Sequence, residues 1–436
     1  MSNVLEQAKA AAQQGNWSLL NQHLQHLALG KNAIDAGTES ATLSDTDLEQ
    51  VLNLALDVLE SGDFQERWDI AKVFPNLGTI AIAPLVEILQ DDDADSELRW
   101  FAARILGGFE HSTTTVISTL VDFLKTSEDE DLSAMAAAAL TSLGNSAIQA
   151  LTNLLTDPES RLLATTSLSK IRRSEIIAPL LSVINDPQVS IRTAAIEGIS
   201  SFHDPRIPPI LLSALDDPAA AVRKEAVIGL GLRAELGEEL DLLNRLKPLL
   251  YDFNQDVCQQ AAIALGRLGT DQAADALFKV IQSPATPVPL TYNFIRALGW
   301  METAKSLDYL QQALAHVSVE GVLEIVRVLG RLKEPVLKIK AAQILIDFLN
   351  SGHPARQEAT IKQAVAQAWG ELGEVGAIDR LIGLLADRAD SVRLHAIAAL
   401  KNFPGIDQQL EQLATDENLA PSLKEGIAIA LSEWKS

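Results

Sequence analysis

Two pairs of residues combine an indole ring with a cation at the same spacing. This combination is typical of binding surfaces. Trp68 is followed four residues later by Lys72, and Trp100 is followed four residues later by Arg104. Tryptophan is enriched in the hot spots of protein interfaces, and cations beside aromatic rings recognise charged ligands. These four residues therefore predict a surface for an apolar partner that carries carboxylates, such as an acidic helix.

A second set in the later half of the chain repeats this combination. Tyr292 and Arg296 have the same spacing, and Arg327 follows in the next segment of the same type. We predict that these three residues also bind a partner or ligand. Trp369, in contrast, lies on an apolar stripe and is predicted to belong to the core.

An alternative explanation for Trp68 and Trp100 is structural. Tryptophans near the end of a helical array can pack beneath the helices that cap it. Lys72 and Arg104 would then pair with Asp69 or Glu97 at the surface. The sequence leaves both explanations open.

No catalytic motif accompanies these residues. The histidines do not show the spacing of a zinc hydrolase, and the chain has no phosphate-binding glycine loop and no nucleophile elbow. The acidic run at 91–95 lacks the glycine and distal glutamate of a calcium loop, so we interpret it as a solvated turn. The single cysteine, Cys258, excludes an internal disulfide and a cysteine cluster. We expect a non-catalytic protein without a metal or a resident cofactor.

The charge balance restricts the classes of partner. The 436 residues carry a net charge of −23, which repels phosphate backbones and anionic membranes. The N-terminus lacks a secretory pattern, and no apolar run approaches the roughly 20 residues of a membrane span. We expect a soluble, cytoplasmic protein that neither binds nucleic acid nor inserts into membranes.

The elements that carry these residues recur about every 30 residues, a period typical of stacked helical hairpins. In the best-formed units an aspartate in the turn is followed six residues later by an arginine on the second helix: Asp93 and Arg99, Asp186 and Arg192, Asp217 and Arg223, Asp387 and Arg393. Cys258 takes the place of the arginine after Asp252. Because one hairpin cannot bury its own apolar face, neighbouring hairpins must complete the core.

This pattern resembles the HEAT-repeat family, whose units pair an aspartate in the turn with an arginine on the second helix. The resemblance implies an all-α fold, an α-solenoid of about a dozen hairpins. Second helices are predicted to begin near Arg67, Arg99, Ser133, Arg161, Arg192, Arg223, Cys258, Thr291, Val322, Lys362, Arg393 and Lys424.

The resemblance also implies how the candidate residues are arranged. In HEAT folds the second helices line the concave side, and their partly exposed positions lie one and five residues after the arginine. Trp68 with Lys72, Trp100 with Arg104, and Tyr292 with Arg296 occupy these positions. Adjacent helix axes should lie roughly 8–10 Å apart, so the residues of neighbouring units should form one surface.

The predicted organisation has three parts. Residues 1–29 form a helical N-terminal cap, residues 30–44 a flexible linker, and residues 48–434 the solenoid. Two longer connections interrupt the array, at 282–289 with three prolines and at 350–357. We expect the capped array to be monomeric.

The alanine-rich, proline-punctuated texture resembles a cyanobacterial group of HEAT-repeat proteins that includes phycobilin lyase subunits. Two functions follow as expectations. The first is a non-catalytic scaffold or assembly factor whose concave groove binds a protein, such as a phycobiliprotein or a carrier in iron–sulfur assembly. The second is a phycobilin lyase subunit that holds a linear tetrapyrrole for attachment to a phycobiliprotein cysteine, with the aromatic and cationic residues around the pigment.

Overall fold

The computed structural model describes residues 2–29, 44–109 and 114–435. Every regular element in these ranges is a helix, as the sequence predicts. The chain divides into two compact units, Met1–His203 and Asp204–Ser436. This boundary falls inside the stretch 48–434 that is predicted to be one array. The predicted linker at 30–44 lies outside the described residues except for Ser44.

The first unit consists of helices α1 to α13. They are α1 Ser2–Gln13, α2 Trp17–Leu29, α3 Asp45–Ser61, α4 Phe64–Ile70, α5 Phe74–Leu77, α6 Ile82–Gln90, α7 Ser96–Leu106, α8 Thr114–Thr126, α9 Glu130–Ser142, α10 Ile148–Leu154, α11 Arg161–Lys170, α12 Ile177–Leu181 and α13 Val189–Ile199.

The second unit consists of helices α14 to α27. They are α14 Ile207–Ala214, α15 Ala220–Gly231, α16 Leu242–Leu246, α17 Gln255–Leu268, α18 Asp271–Ile281, α19 Val288–Trp300, α20 Ala304–Ala313, α21 Val319–Gly330, α22 Pro335–Asn350, α23 Ala359–Leu372, α24 Ile378–Leu384, α25 Asp390–Leu400, α26 Ile406–Ala414 and α27 Pro421–Lys435.

The predicted register of the second helices is confirmed. Within the described residues, twelve helices carry the predicted starting residues: α4, α7, α9, α11, α13, α15, α17, α19, α21, α23, α25 and α27. The predicted residue is the fourth of its helix in eleven cases and the first in α11. Equivalent positions one and five residues later therefore share one face along each unit.

Each unit is built as two layers of helices. In the second unit, α15, α17, α19, α21, α23 and α25 pack one on the next, and the first helices α18, α20 and α22 form the other layer. In the first unit, α7 packs on α9, α9 on α11 and α11 on α13. The apolar side chains between the layers make up the core, and Trp369 is fully buried there, as predicted.

The N-terminal helices pack against the first hairpin. Helix α2 contacts α3, α4 and α5, and α1 contacts α2 and α3. The Asn21 side chain donates a hydrogen bond from Nδ2 to the Glu66 carbonyl, at 3.1 Å. Ser44 and Asp47 form a reciprocal capping box at the start of α3. These contacts fix the position of α4, which carries Trp68.

The stretch Phe64–Gln90, 27 residues long, is long and apolar enough to cross a membrane by length and composition alone. It is not one continuous helix, however, because it divides into α4, α5, a 3-10 turn at Gly78–Ala81 and α6. The break after α5 lies at Gly78, whose φ is +77°. A spanning helix needs roughly 20 consecutive helical residues, so this stretch lacks the geometry of a span.

Second helices approach each other where a glycine of one faces an alanine of the next. A Cβ atom built on Gly370 would lie 2.9 Å from both Cα and Cβ of Ala399. On Gly107 it would lie 2.6 Å from the Ala139 Cα atom. These distances are shorter than normal van der Waals contact, and a Cα atom cannot move without its helix. The small residues therefore set the spacing of the second helices.

We expect Gly370→Ala to lower the free energy of unfolding by about 1–3 kcal/mol through overpacking. This outcome opposes helix propensity, which favours alanine over glycine by about 1 kcal/mol. Gly383→Ala is the matched control, because Gly383 lies in α24 with nothing within 4 Å of an added Cβ. The control should gain about 0.5–1 kcal/mol. Urea unfolding followed by circular dichroism measures both, and stabilisation by Gly370→Ala would contradict the packing argument.

Candidate functional site

The arginines of the repeat pattern bind backbone carbonyls of their own turns. The Nη1 atom of Arg192 donates to the Asp186 carbonyl at 2.8 Å, and that of Arg223 donates to the Asp217 carbonyl at 2.8 Å. Arg393 makes the same bond to the Asp387 carbonyl at 3.0 Å. Each bond spans six residues, so it closes the turn onto the second helix. The six-residue spacing that recurs between the repeats thus has a structural cause.

Cys258 makes the equivalent bond in its unit. Its Sγ atom donates to the Asp252 carbonyl at 3.1 Å, and the side chain is buried. Burial raises the pKa of the Cys258 thiol, which favours the protonated donor over a reactive thiolate. The cysteine therefore takes over the arginine's structural bond.

The aspartate carboxylates pair across hairpins. Asp186 pairs with Arg161 at 2.9 Å, Asp252 with Arg223 at 2.8 Å, and Asp387 with Lys362 at 2.7 Å. In each pair the cation belongs to the preceding hairpin, so the pair ties two units together. The first arginine of the pattern differs: Arg99 pairs with Asp92 at 3.0 Å instead of the expected Asp93.

Trp68 and Trp100 meet around a third ring that the sequence analysis missed. The ring centroid of Phe64 lies 6.1 Å from that of Trp68, 6.5 Å from that of Trp100 and 5.3 Å from that of Phe101. We call these four residues the aromatic cluster. Phe64 and Trp68 lie one turn apart on α4, and Trp100 and Phe101 lie on α7. Phe64 is 52% exposed, so the cluster reaches the surface.

The two cations predicted beside these tryptophans are already engaged. The Arg104 guanidinium lies over the Trp68 ring, 3.8 Å from its centroid, and burial lowers the pKa of Arg104. Lys72 forms an ion pair with Asp69 at 2.8 Å, as the structural explanation expects. The hydrogen bond from Lys72 lowers the pKa of Asp69. Both cations thus have partners within the first unit.

A pocket of about 430 Å³ opens beside the aromatic cluster, between α7 and α9. Phe64, Trp100, Leu132 and Met135 supply its apolar lining. Three carboxylates also line it, those of Glu97, Asp129 and Asp131. Trp68, Lys72 and Arg104 are not among the lining residues. The pocket is therefore apolar with an acidic rim, whereas the sequence predicts cations at this place.

The three rim carboxylates differ in their partners. Glu97 accepts a hydrogen bond from Arg67 Nη1 at 2.7 Å. Asp129 caps α9, because its Oδ1 atom accepts from the Asp131 and Leu132 backbone N–H groups. The Asp131 carboxylate has no ion pair within the described residues. It is the rim group that is available to an incoming cation.

A buried carboxylate, that of Glu324, contacts two arginines of the second predicted set. Glu324 is 9% exposed and lies between Arg296 and Arg327. The hydrogen bond from the Arg296 side chain to Glu324 raises the pKa of Arg296. Arg327 lies 3.9 Å from the same carboxylate. One carboxylate thus offsets part of the positive charge of two arginines, and Tyr292 is partly exposed on the same helix as Arg296.

Arg327 also lines a polar pocket of about 310 Å³ on the faces of α21, α23 and α25. Leu323, Gln363 and Gln367 in its lining occupy the predicted exposed positions of their helices. Arg331 lines the pocket too, and its side chain has no ion pair within the part of the chain that the structure describes. The repeat register predicts the position of this surface, but no sequence signal distinguishes Arg331.

Phe64 could have been found from the sequence. It lies four residues before Trp68, the spacing that places two side chains on one helix face. It also follows Asp63, which caps α4 in a reciprocal capping box with Glu66. Asp131 carried no comparable signal, because acidic residues in a first helical turn are common.

Comparison with known proteins agrees with this architecture. A family model described as HEAT repeats matches residues 82–169, 148–231 and 241–324, together more than half of the chain. A crystal structure of importin beta aligns with a TM-score of 0.53 at 15% sequence identity, over 98% of this chain and 74% of that chain. This likeness shows a shared fold.

Two further structures align with lower TM-scores. The complex of CpcE and CpcF of phycocyanin lyase from Nostoc sp. PCC7120 has a TM-score of 0.31 at 20% identity, over 54% of this chain and 94% of that chain. An engineered protein has a TM-score of 0.33 at 20% identity, over 81% and 99%. No curated protein sequence matches the chain. The helical hairpins, their register and the matching repeats place the chain in the HEAT-repeat family.

Proposed function

We propose that the protein is a non-catalytic scaffold that binds a segment of a partner protein at the aromatic cluster and its pocket. The observation that supports this proposal is the half-exposed ring of Phe64, held between Trp68 and Trp100 beside an apolar pocket. Arrays of helical repeats typically use such extended surfaces for binding. Within the described residues, no group of three or more histidine, cysteine or acidic side chains is placed to hold a metal ion.

The geometry of the cluster suits a protein partner. The neighbouring rings hold Phe64 in place, so little side-chain entropy remains to be lost on binding. Covering its exposed surface would add a favourable hydrophobic contribution, and aromatic anchors of this kind are commonly worth about 2 kcal/mol or more. The adjacent pocket has room for apolar side chains of the partner.

The alternative function is to bind a phycobilin. The charges that line the two pockets indicate which of them suits this pigment. The propionates of a tetrapyrrole would be repelled by the carboxylates of Glu97, Asp129 and Asp131. The other pocket is lined by two arginines, Arg327 and Arg331, and one carboxylate, Glu371, so its charges suit propionates better. We therefore assign the protein partner to the aromatic cluster and restrict the phycobilin alternative to the second pocket.

Phe64→Ala is expected to weaken capture of the partner by about tenfold or more, since a hot-spot aromatic contributes about 2 kcal/mol. The measurement is quantitative affinity capture from the native host with the full chain as bait. Trp300→Ala is the matched control, because Trp300 is an aromatic residue 59% exposed in the other unit. Thermal unfolding should verify that both variants remain folded.

The same experiment separates the alternatives. A partner lost with Phe64→Ala but retained with Trp300→Ala supports binding at the cluster. Equal recovery of all proteins by the wild type and Phe64→Ala would reject the cluster as a binding site. Visible absorbance of a bilin in the eluate, sensitive to Arg331→Ala, would favour the phycobilin alternative.

A further inference from the structure

We propose that the segment bound at the aromatic cluster is basic as well as apolar, with an apolar anchor flanked by lysine or arginine. This inference rests on the proposed function and specifies the chemistry of its partner. It reverses the charge that the sequence predicts, because Arg67, Lys72 and Arg104 already contact groups of the chain and carboxylates line the pocket.

The cations around the pocket have partners within the chain. Arg67 donates from Nη1 to Glu97 and Asp95, at 2.7 and 3.2 Å, and from Nη2 to the Glu60 carbonyl at 2.9 Å. Lys72 is paired with Asp69, and Arg104 is stacked on Trp68. An acidic partner would compete with Glu97, Asp95 and Asp69 for Arg67 and Lys72.

The groups that face the pocket are complementary to a cation. Glu97 keeps 43% of its side chain exposed despite its pair with Arg67, and Asp131 has no ion pair among the described residues. Trp100 lines the pocket, and the structure shows no cation over its ring in the described ranges. An incoming lysine or arginine could therefore contact both a carboxylate and the part of the Trp100 ring that lines the pocket.

Apolar contact and charge act on the same segment. The apolar lining from Phe64, Trp100, Leu132 and Met135 accepts the anchor, and three carboxylates line the same pocket. The net charge of −23 would also steer a basic segment toward the protein. Long-range steering alone would not depend on Phe64 or Asp131, and this difference makes the local site testable.

Two labelled peptides test the inference by fluorescence anisotropy with the full chain. Both are helical, with leucine and phenylalanine four residues apart, and they differ only in lysine or glutamate at the flanking positions. The lysine peptide should bind about tenfold more tightly at low salt, with the preference falling as salt rises. Equal binding, or a preference for the glutamate peptide, overturns the inference.

Two variants distinguish the contribution of the pocket to peptide binding from that of the protein's net negative charge. Asp131→Asn should weaken the lysine peptide about threefold to fivefold and leave the glutamate peptide unchanged or tighter. Asp122→Asn is the matched control, since Asp122 is an exposed carboxylate of the same unit that does not line the pocket. An equal effect of the two variants would assign the preference to net charge and overturn the inference.

Phe64→Ala distinguishes failure of this inference from failure of the proposed function. If it weakens both peptides similarly and charge has no effect, the cluster binds protein segments and only the basic preference is wrong. If it weakens neither peptide, or if neither binds the wild type, both proposals are rejected. If Phe64→Ala weakens both peptides, which share the apolar anchor, and Asp131→Asn weakens only the lysine peptide, the basic, apolar segment is supported.

Discussion

Replacement of Trp369 by alanine is expected to lower the free energy of unfolding by about 3–5 kcal/mol. The side chain is fully buried on α23. Its Nε1 atom donates to the Ala342 carbonyl on α22, at 3.3 Å. The variant would leave a large cavity between the two helix layers and remove the donor of a buried carbonyl.

Urea unfolding followed by far-ultraviolet circular dichroism measures this loss without relying on tryptophan fluorescence. Trp369→Phe should cost less, because it fills most of the volume and loses chiefly the indole hydrogen bond. Trp300→Ala removes a tryptophan that is largely exposed and should change stability by less than about 1 kcal/mol. Similar losses for Trp369→Ala and Trp300→Ala would show that Trp369 is not a core residue.

The fold was predictable because its signals are local. The offset of six residues between an aspartate and an arginine closes each turn through one side chain and one carbonyl, as Arg223 and Asp217 show. Helical periodicity on either side of the turn then fixes which positions are buried. The same rule tolerates a different donor, since Cys258 bonds the Asp252 carbonyl in the arginine's place. The register of all second helices follows from this repetition.

Pairing between hairpins was less predictable. The carboxylate of Asp186 meets Arg161 of the preceding hairpin, whereas its own arginine binds the Asp186 carbonyl. Which carboxylate a long side chain reaches depends on the stacking of neighbouring units, and a sequence offset within one unit does not contain it. The pairing of Arg99 with Asp92 instead of Asp93 lies within one hairpin and depends on the conformation of its turn.

The candidate site was located correctly in part, but its charge was not anticipated. The shared register brings Trp68 and Trp100 to one surface through their contacts with Phe64. The orientation of Arg104 over Trp68 and the pairing of Lys72 with Asp69 depend on side-chain conformations. Two of the three rim carboxylates, Asp129 and Asp131, come from the next hairpin. A prediction from single positions could not sum these neighbouring charges.

The pair of Arg223 and Asp252 leads to the second large expected effect. Asp252→Ala should lower the free energy of unfolding by about 3 kcal/mol, because it leaves the arginine without its carboxylate in a site that is largely closed to water. Both bonds of the pair are 2.8 Å long. The side chains are only 15% and 6% exposed, for Arg223 and Asp252 respectively. Urea unfolding at neutral pH measures the loss.

Two further variants isolate the cause. The double variant Arg223→Met with Asp252→Ala should be more stable than Asp252→Ala alone, because no unpaired charge remains. Asp252→Asn keeps an oxygen that can accept the Asn254 backbone N–H, the bond that Asp252 now accepts at 2.8 Å. It loses the charge and one of the two oxygens that accept from Arg223. If the double variant were as unstable as Asp252→Ala, the loss would come from packing and not from an unpaired arginine.

The pH dependence of this difference has a definite sign. Burial by itself would raise the pKa of Asp252, but the hydrogen bonds from Arg223 and from the Asn254 N–H lower it overall. A carboxyl group with a lowered pKa in the folded state contributes its full stability above the unfolded pKa of about 3.9, and loses it as the pH falls through the folded pKa. The stability gap between the wild type and Asp252→Asn should therefore be constant between about pH 6 and 8 and should close below about pH 4. A gap that widened in acid would mean that Asp252 is not held as a carboxylate by Arg223, and the cross-hairpin pair would lose its role in coupling the repeats.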